Sequence, residues 1–243
     1  MSSQSTRPLA VITGGSRGLG FEVAKALTLQ GFDIALIAKD AQRLEEAAAQ
    51  LRAGAANIST FSCDLEQPHL VRELIDSLTQ SLPTPTTLVL AHGVMSAKMS
   101  KTLKTDDAEW RRVMAINLDS VFQLVNGIAP AMADARNGRV IIFSACLGRM
   151  SGPGNAGGLA PYRISKAGVN ALVRNLAHET GLGARGFLVD AICPNHSRTD
   201  MGGPDAPRSA EEGAATAIWL ATREFNPGDT TGVLWEDQQV VPW

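Results

Sequence analysis

Residues 9–20, Leu-Ala-Val-Ile-Thr-Gly-Gly-Ser-Arg-Gly-Leu-Gly, decide the fold of this chain. The first five of them, Leu9–Thr13, are apolar or β-branched and predict a buried strand. Glycines follow in quick succession, and the stretch 19–30 then has the apolar spacing of a helix. A strand that passes through a glycine loop into a helix is typical of the first unit of a βαβ fold.

The same alternation continues along the whole chain. Further strands are predicted at 33–38, 57–63, 87–91, 139–144, 187–193 and 231–235, and helical stretches such as 41–52 separate them. Several strands are apolar on both faces, as expected for parallel strands covered by helices. The sequence therefore predicts an α/β fold: a Rossmann-type, doubly wound parallel sheet of about seven strands with helices on both faces. Residues 1–243 are expected to form one domain.

Composition and charge exclude several classes of function. Lys and Arg number 22 against 24 Asp and Glu, for a formal charge of -2, and the basic residues are scattered, which argues against a nucleic-acid partner. No apolar run reaches the ~18 residues of a membrane span, and residues 1–8 lack the apolar core of a secretion signal. Cys63, Cys146 and Cys193 are odd in number and have no C-x-x-C spacing, which argues against a disulfide framework or a zinc site. We therefore expect a cytoplasmic protein.

The glycine loop is suited to a phosphate-linked ligand. Gly14, Gly18 and Gly20 let backbone amides approach a pyrophosphate, and the helix that follows directs its N-terminus at the same place. Because the loop joins a strand to a helix in the first βα unit, it predicts a dinucleotide site. A tight turn without a ligand is the alternative.

The end of the second predicted strand indicates which dinucleotide binds. An acid there would bind the ribose hydroxyls of NAD, but Ala38 occupies the strand end and Lys39 follows. Lys39 and Arg17, with Arg43 as a weaker candidate, supply the positive charge that a 2′-phosphate requires. This favours NADPH over NADH. The alternative is that Lys39 and Arg43 begin a solvated helix beside Asp40.

One tyrosine and one lysine form a candidate acid–base pair. Tyr162, the only tyrosine of the chain, stands four residues before Lys166 in a helical stretch, so the two share a face. A free phenol has a pKa of about 10, and an adjacent ammonium favours the phenolate. The pair is therefore suited to proton transfer to a carbonyl oxygen that receives hydride. A packed tyrosine ring beside a solvated lysine is the structural alternative.

These motifs together resemble the short-chain dehydrogenase/reductase family over essentially the whole chain. The matching features are the T-G-x-x-x-G-x-G loop at 13–20, Asp64 after the third strand, Asn117 in Met-Ala-Ile-Asn-Leu, and Tyr162-x-x-x-Lys166. The C-terminal third, from residue 193 to 243, resembles the carbonyl-reductase branch, whose members mostly use NADPH.

The resemblance implies roles for residues that spacing alone does not single out. Asp64 and Leu65 are expected beside the adenine and Thr199 beside the nicotinamide carboxamide, while Asn117 is expected to hold a water in a proton relay to Lys166. The expected catalytic residues are Tyr162, Lys166, Asn117 and Ser144, and no metal ligand is expected. The expected cofactor-binding residues are Gly14, Ser16, Arg17, Gly18, Leu19, Gly20, Lys39, Asp64, Leu65, Ala91, Gly93, Tyr162, Lys166, Pro194 and Thr199.

The segment 138–148 departs from the family at one catalytic position. It aligns without gaps to G-R-I-V-N-I-S-S-x-x-G, whose second serine is catalytic, and places Ala145 there. Loss of a hydroxyl donor to the developing oxyanion costs about 10²–10³ in rate if nothing replaces it. Ser144 can replace it only if the strand end shifts by one residue, because neighbouring side chains of a strand point to opposite faces. Ser151 and Asn155, in the loop nearby, are further candidates.

Two histidines stand where the family has small residues. The family's N-N-A-G after the fourth strand is Leu-Ala-His-Gly at 90–93, and its P-G-x-x-x-T is Pro-Asn-His-Ser-Arg-Thr at 194–199. His92 and His196 therefore adjoin the expected cofactor edge. Each histidine could donate a hydrogen bond to substrate or cofactor and so replace the missing serine hydroxyl. The alternative is that each is a polar loop residue, partly exposed to solvent. No second ligand is spaced to give either one a metal role.

The leading hypothesis is an NADPH-dependent reductase of ketones or aldehydes, in which Tyr162 protonates the carbonyl oxygen. The loops 149–161 and 194–209 are expected to enclose a small hydrophobic substrate. An apolar wall is expected from Met95, Met99, Leu147, Met150 and Met201. Because of Ala145, two alternatives remain: imine reduction, elimination or epimerisation with the same cofactor, or a sensor that binds NADP(H) without turnover.

The resemblance implies more than one possible oligomeric state. Family members commonly form tetramers through the helices that contain Asn117 and Tyr162, and the carbonyl-reductase branch includes monomers. A homodimer or homotetramer is therefore considered beside a monomer.

Overall fold

In the part of the chain that the structure describes, the sheet has eight strands. The computed structural model describes residues 7–52, 56–97, 100–226 and 228–243. The strands are β1 (Leu9–Thr13), β2 (Asp33–Ala38), β3 (Ile58–Ser62), β4 (Thr87–Leu90), β5 (Gly138–Phe143), β6 (Phe187–Ile192), β7 (Leu234–Glu236) and β8 (Gln239–Val241). They lie in the order β3-β2-β1-β4-β5-β6-β7-β8, with β8 antiparallel to β7 and all other pairs parallel. The predicted doubly wound α/β fold is confirmed.

Helices cover both faces of the sheet. They are α1 (Gly18–Leu29), α2 (Ala41–Leu51), α3 (Pro68–Ser81), α4 (Asp107–Met114), α5 (Ser120–Asp134), α6 (Ala160–Glu179) and α7 (Ala210–Thr222). Alternate residues of β1 enter two apolar cores: Leu9 and Val11 pack with α3, α5 and α6, while Ala10 and Ile12 pack with α1, α2 and α7. None of the helices in the described part of the chain combines the length and the apolar composition that a membrane crossing requires.

The strand predictions fail only at the C-terminal edge. The first six strands agree with the sequence to within one residue at each end, whereas β7 begins three residues later than predicted and β8 was not predicted. β8 has three largely exposed residues and follows a tight turn in which Asp237 and Gln238 have φ of 51° and 59°. A short, exposed edge strand lacks the apolar pattern by which buried strands are found.

The order of the strands opens a crevice above the middle of the sheet. From β1 the chain builds outward through β2 to β3, and then returns to place β4 on the other side of β1. The loops after β1 and β4 therefore leave in opposite directions, which separates them at the carboxyl ends of these strands. Doubly wound sheets bind their ligands at this point.

Two of the cysteines form a disulfide, which corrects the expectation of unpaired thiols. Cys146 and Cys193 are bonded, with Cα atoms 5.5 Å apart, and Cys63 is free and buried. β5 and β6 are neighbours and pair Phe143 with Ile192, so their carboxyl ends bring the two cysteines together. The 47 residues between them hide this proximity in the sequence.

A buried ion pair joins β6 to the end of α7. Asp190 Oδ2 lies 3.0 Å from an Nη of Arg223, and Trp235 Nε1 donates to Asp190 Oδ1 at 3.0 Å. The Arg223 guanidinium also lies 5.1 Å and 5.2 Å from the ring centroids of Trp219 and Trp235. Burial raises the pKa of Asp190 to about 6, against the opposing effects of Trp235 and Arg223.

We expect Arg223→Met to lower the free energy of unfolding by about 3–5 kcal/mol near pH 8, because Asp190 is left buried, charged and unpaired. The loss should be smaller near pH 5. A carboxyl whose folded-state pKa is raised stabilises the fold below its unfolded pKa, and this contribution is lost as the pH rises through the folded pKa. Urea unfolding at both pH values measures the difference. Arg174→Met, on the exposed face of α6, is the control; an equal loss at both pH values contradicts this account of the pair.

Candidate active site

A cleft of about 590 Å³ lies beyond the carboxyl ends of β1, β4 and β5. All of the expected cofactor-binding residues line it, and so does the expected catalytic residue Ser144. Lining residues that the sequence analysis did not assign to the site are Ala38, Asp40, Cys63, Val94, Ile116 and Phe143, and Asp200 comes from the loop 194–209 expected to enclose the substrate. Cys63 and Phe143 stand at the ends of predicted strands, and this position is the signal by which they could have been found.

The glycine loop brings backbone against backbone at the floor of the cleft. Gly14 has a φ of +66°, and a Cβ on Gly20 would lie 2.4 Å from the carbonyl oxygen of Gly14. A larger residue at position 20 would therefore push α1 away from β1. The side chain of Arg17, at the N-cap position, makes no capping hydrogen bond to α1. The N–H groups of this first turn are suited to an anionic ligand.

The cations expected near a 2′-phosphate are paired with acids. Lys39 Nζ lies 2.6 Å from an Asp64 oxygen, and the hydrogen bond and charge of Asp64 raise the pKa of Lys39. Arg17 pairs with Asp200, which belongs to the loop 194–209. The side chains of Lys39, Arg17 and Asp200 are more than half exposed, so these pairs are weak and can exchange the carboxylate for another anion.

Helix α6 places Tyr162 and Lys166 in the cleft, one turn apart. The Tyr162 N–H donates to Ser96 Oγ at 3.1 Å, which fixes the start of the helix. Lys166 Nζ donates to the Phe143 carbonyl at 2.7 Å and lies 6.0 Å from the centroid of the Tyr162 ring. Both side chains are buried yet reach the cleft. The structure thus brings the predicted pair together with the glycine loop.

Burial shifts the pKa values of this pair in opposite directions. It raises the pKa of Tyr162 to about 12 and lowers that of Lys166 to about 8, because the charged form of each is poorly solvated. The expectation that the ammonium lowers the pKa of the phenol is therefore wrong here, since desolvation dominates. The phenol stays protonated through neutral pH, as a proton donor must.

We expect kcat/KM for carbonyl reduction to be constant near neutral pH and to fall above about pH 8. Lys166 loses its proton there, because burial lowers its pKa to about 8, and a deprotonated Lys166 could not take its expected part in a proton relay to Tyr162. A pH profile of kcat/KM measures this fall at alkaline pH. A profile that stays level well above that pH contradicts the assignment.

Asn117 lies behind the cleft and links two of its walls. It belongs to a π-helical segment, Ala115–Asp119, between α4 and α5, and its side chain is fully buried. Asn117 Oδ1 accepts from the Val94 N–H at 2.8 Å, and Nδ2 donates to the Val94 carbonyl at 2.9 Å and to Ser165 Oγ at 3.1 Å. A Cβ on Gly93 would lie 3.4 Å from both Asn117 Oδ1 and Lys166 Nζ. Asn117 and Lys166 therefore flank the same glycine.

The hydroxyl of Ser144 bonds to α6. Ser144 Oγ donates to Asn170 Oδ1 and also lies 3.3 Å from the Lys166 carbonyl oxygen. The single proton of the hydroxyl is therefore engaged inside the protein. Ala145 follows and precedes the short turn Cys146–Gly148. Of the other candidates, Ser151 donates to the carbonyl of Trp243, and the side chain of Asn155 lies outside the described part of the structure.

Both ring nitrogens of His92 are hydrogen-bonded. Nδ1 lies 2.6 Å from Thr13 Oγ1, and Nε2 lies 2.9 Å from Ser120 Oγ. Because Ser120 donates to the Ile116 carbonyl, it accepts from Nε2–H, and Nδ1 accepts from Thr13. Burial, helped by the charge of Lys166, lowers the pKa of His92 to about 3, so the ring is neutral. His92 lines the cleft without a spare donor.

Other expected residues lie apart from the cleft. His196 is exposed, and its Nε2 lies 2.8 Å from the Gly202 carbonyl. Of the expected apolar wall, Met201 lines the cleft, whereas Met150 is 76% exposed. Met95 and Leu147 are not among the residues that line it, and Met99 lies outside the described residues.

Comparison with protein families identifies the family. A model described as short chain dehydrogenase matches residues 8–209, which include the glycine loop, Asn117, Tyr162 and Lys166. The chain belongs to the short-chain dehydrogenase/reductase family. These proteins are oxidoreductases, so the resemblance stated from the motifs is confirmed.

Two curated relatives illustrate the breadth of this family. The 3-oxoacyl-[acyl-carrier-protein] reductase of Pseudomonas aeruginosa is 31% identical over 204 residues, which cover 83% of this chain and 79% of the relative. Carbonyl reductase [NADPH] 1 of Mus musculus is 27% identical over 280 aligned positions, which cover 98% of this chain and 99% of the relative.

Solved structures share the fold. A metagenomic short-chain oxidoreductase in complex with NADP is 27% identical with a TM-score of 0.75, and the match covers 89% of this chain and 91% of the other. A blue fluorescent protein from a metagenomic library, in complex with NADPH, has a TM-score of 0.81 at 24% identity, covers 93% and 94% of the two chains, and indicates the fold alone.

Proposed function

We propose that this protein is an NADPH-dependent reductase of ketones or aldehydes that uses Tyr162 as its acid. The observation that carries the proposal is the placement of Tyr162 and Lys166 in the same cleft as the glycine loop. The names of the mouse carbonyl reductase and the NADP-bound oxidoreductase support the same reading.

The residues of the cleft fit the cofactor. The open first turn of α1 would bind the pyrophosphate, and Arg17 and Lys39 would bind the 2′-phosphate in exchange for their carboxylate partners. Lys166 would hold the nicotinamide ribose, and Thr199 would hold the nicotinamide carboxamide. When bound, the cofactor supplies the hydride for the carbonyl carbon.

The remaining chemistry is a proton transfer by side chains of this chain. Tyr162 donates its phenolic proton to the substrate oxygen, and Lys166 replaces it, with Asn117 holding a water between Lys166 and the solvent. The phenol is suited to this because burial keeps it protonated at neutral pH. The loop 194–209 contributes Pro194, Thr199, Asp200 and Met201 to the cleft and would enclose a small hydrophobic substrate, whereas the lining includes no described residue of the loop 149–161.

Two measurements test the proposal. Quenching of NADPH fluorescence by the protein reports on binding, and the loss of NADPH absorbance with a panel of ketones and aldehydes reports on turnover. Binding with turnover is the expected result. Binding without turnover across the panel favours the sensor, and failure to bind NADPH contradicts both readings.

We expect Arg17→Gln to raise the Kd for NADPH by about 10–100-fold, because a hydrogen bond to a charged group contributes about 1.5–3 kcal/mol. The Kd for NADH should hardly change, since NADH has no 2′-phosphate. Fluorescence titration with both cofactors measures the ratio. Arg72→Gln, an exposed arginine of α3, is the matched control; equal losses for the two cofactors contradict a phosphate contact.

A second candidate function rests on Ala145 and on the engaged hydroxyl of Ser144. Without a hydroxyl donor for the developing oxyanion, the Tyr162–Lys166 pair is also suited to imine reduction, elimination or epimerisation. A panel that contains cyclic imines beside ketones distinguishes imine reduction from carbonyl reduction. A higher kcat/KM for the imines than for the ketones favours this second function.

We propose that residues 1–243 act as one domain, in the cytoplasm, and assemble as a homodimer or homotetramer. Grooves between α5 and α6 and the half-exposed Phe122 offer an apolar contact face for a second copy. Sedimentation analysis tests the assembly, and cell fractionation tests the location.

A further inference from the structure

A cluster of sulfur and oxygen atoms lies at the carboxyl ends of β5, β6 and β7. The ligand-type atoms of Cys146, Cys193 and Glu236 all lie within 4.8 Å of one another. Ser144, two residues before Cys146, and Pro194, directly after Cys193, line the cleft, whereas Cys146, Cys193 and Glu236 are not among its described lining. The cluster is therefore next to the active site and separate from it.

The atoms that face the two sulfurs are suited to a different partner than a disulfide. Asn195 Oδ1 lies 3.4 Å from Cys146 Sγ and 3.9 Å from Cys193 Sγ, and Glu236 Oε2 lies 3.6 Å from Cys146 Sγ. A bonded sulfur carries no proton, so both oxygens direct lone pairs at atoms that cannot donate. A cation in place of the sulfur–sulfur bond would satisfy all of these groups.

Other contacts also favour negative charge on the sulfurs. The backbone N–H of Cys146 donates to Cys193 Sγ at 2.9 Å, a contact that stabilises a thiolate. An Nη of Arg149 lies 3.6 Å from Glu236 Oε2, and the Arg149 side chain is only 12% exposed. Two thiolates and the Glu236 carboxylate carry more negative charge than the Arg149 guanidinium neutralises. One divalent cation would balance the remaining negative charge.

We propose that reduction of the Cys146–Cys193 disulfide creates a binding site for one thiophilic divalent cation, such as Zn²⁺. A dithiol reductant supplies two electrons and two protons: the sulfur–sulfur bond breaks, two protein thiols form, and the reductant becomes a disulfide. The cation then displaces both thiol protons and binds Cys146 Sγ, Cys193 Sγ and Glu236, with the Asn195 oxygen as a fourth ligand. Zinc binds both cysteine sulfur and carboxylate oxygen, and it is almost always four-coordinate in structural sites.

The site ties the same strand ends in both redox states. The disulfide joins the end of β5 to that of β6 when the protein is oxidised, and the cation joins them, together with the end of β7, when it is reduced. The sequence spacing gave no sign of this ligand set, because its members come from three separate strand ends.

Cadmium binding tests this proposal without any assay of activity. The protein is reduced with a phosphine, freed of reductant, and titrated with Cd²⁺ while the ultraviolet sulfur-to-cadmium charge-transfer band is recorded. We expect about one Cd²⁺ per chain with the band intensity of two thiolates, and competition by Zn²⁺. The protein oxidised with diamide should show no band, and this comparison needs no variant.

Variants assign the ligands. Cys146→Ser and Cys193→Ser should each lose the two-thiolate band, whereas Cys63→Ser, a matched control at the free cysteine, should keep it. Glu236→Gln should weaken binding by at least about tenfold. Circular dichroism verifies that each variant folds. Absence of the band in the reduced protein, or its persistence in both Cys146→Ser and the oxidised protein, overturns the proposal.

Discussion

We expect Tyr162→Phe to lower kcat/KM for carbonyl reduction by about 10³-fold, within the range that a positioned general acid contributes. The variant retains the ring and its packing in a side chain that is 6% exposed, and it removes only the hydroxyl. The Kd for NADPH should stay within about threefold, because the proposed phosphate contacts are at α1 and Lys39, away from the Tyr162 hydroxyl. Steady-state kinetics and fluorescence titration measure the two effects separately.

Two lysine variants, one at the site and one control on the surface, extend this prediction. Lys166→Met removes the ammonium that lies 6.0 Å from the tyrosine ring and should also abolish the limb of the pH profile above about pH 8. Lys104→Met, at an exposed position, should change neither kcat/KM nor its dependence on pH. Undiminished turnover in Tyr162→Phe rejects the mechanism.

We expect Ala145→Ser to raise the rate of carbonyl reduction by about 10²-fold, because it returns a hydroxyl donor to the position of the family serine. The change adds one oxygen at a residue that has extended backbone, with φ of -158° and ψ of 151°. Single-turnover rates with the best substrate of the carbonyl panel measure the gain. An unchanged rate means that another group already stabilises the oxyanion.

Ser144→Ala separates the two neighbouring positions. The Ser144 hydroxyl bonds to Asn170 and to α6, so its loss should lower stability by about 1–3 kcal/mol and leave the rate nearly unchanged. A rate loss of about 10²-fold in this variant would assign the oxyanion contact to Ser144 instead.

The sequence predicts those parts of the molecule that local pattern controls. Buried strands such as Leu9–Thr13 are apolar throughout, and the glycine loop is contiguous, so fold and cofactor cleft follow from short stretches. The Tyr162–Lys166 pair is also local, because one helical turn places both side chains on one face. Every residue expected at the cofactor lines the cleft.

Features that depend on distant parts of the chain could not be predicted. The Arg17–Asp200 pair joins residues 183 positions apart, and Thr13 and Ser120 hold His92 from two different elements. The pKa of Tyr162 depends on how deeply the ring is buried, which motif spacing does not report. In each case the deciding quantity is a tertiary distance.

The paired indoles beside Arg223 give the protein an internal optical reporter. Trp219 and Trp235, two of its four tryptophans, meet edge to face with ring centroids 5.0 Å apart. Rings this close couple their electronic transitions, so the pair has a circular dichroism signature that either indole alone lacks. Since one ring belongs to α7 and the other to β7, that signature disappears as soon as the helix separates from this edge of the sheet, and it dates the event during unfolding without any added dye.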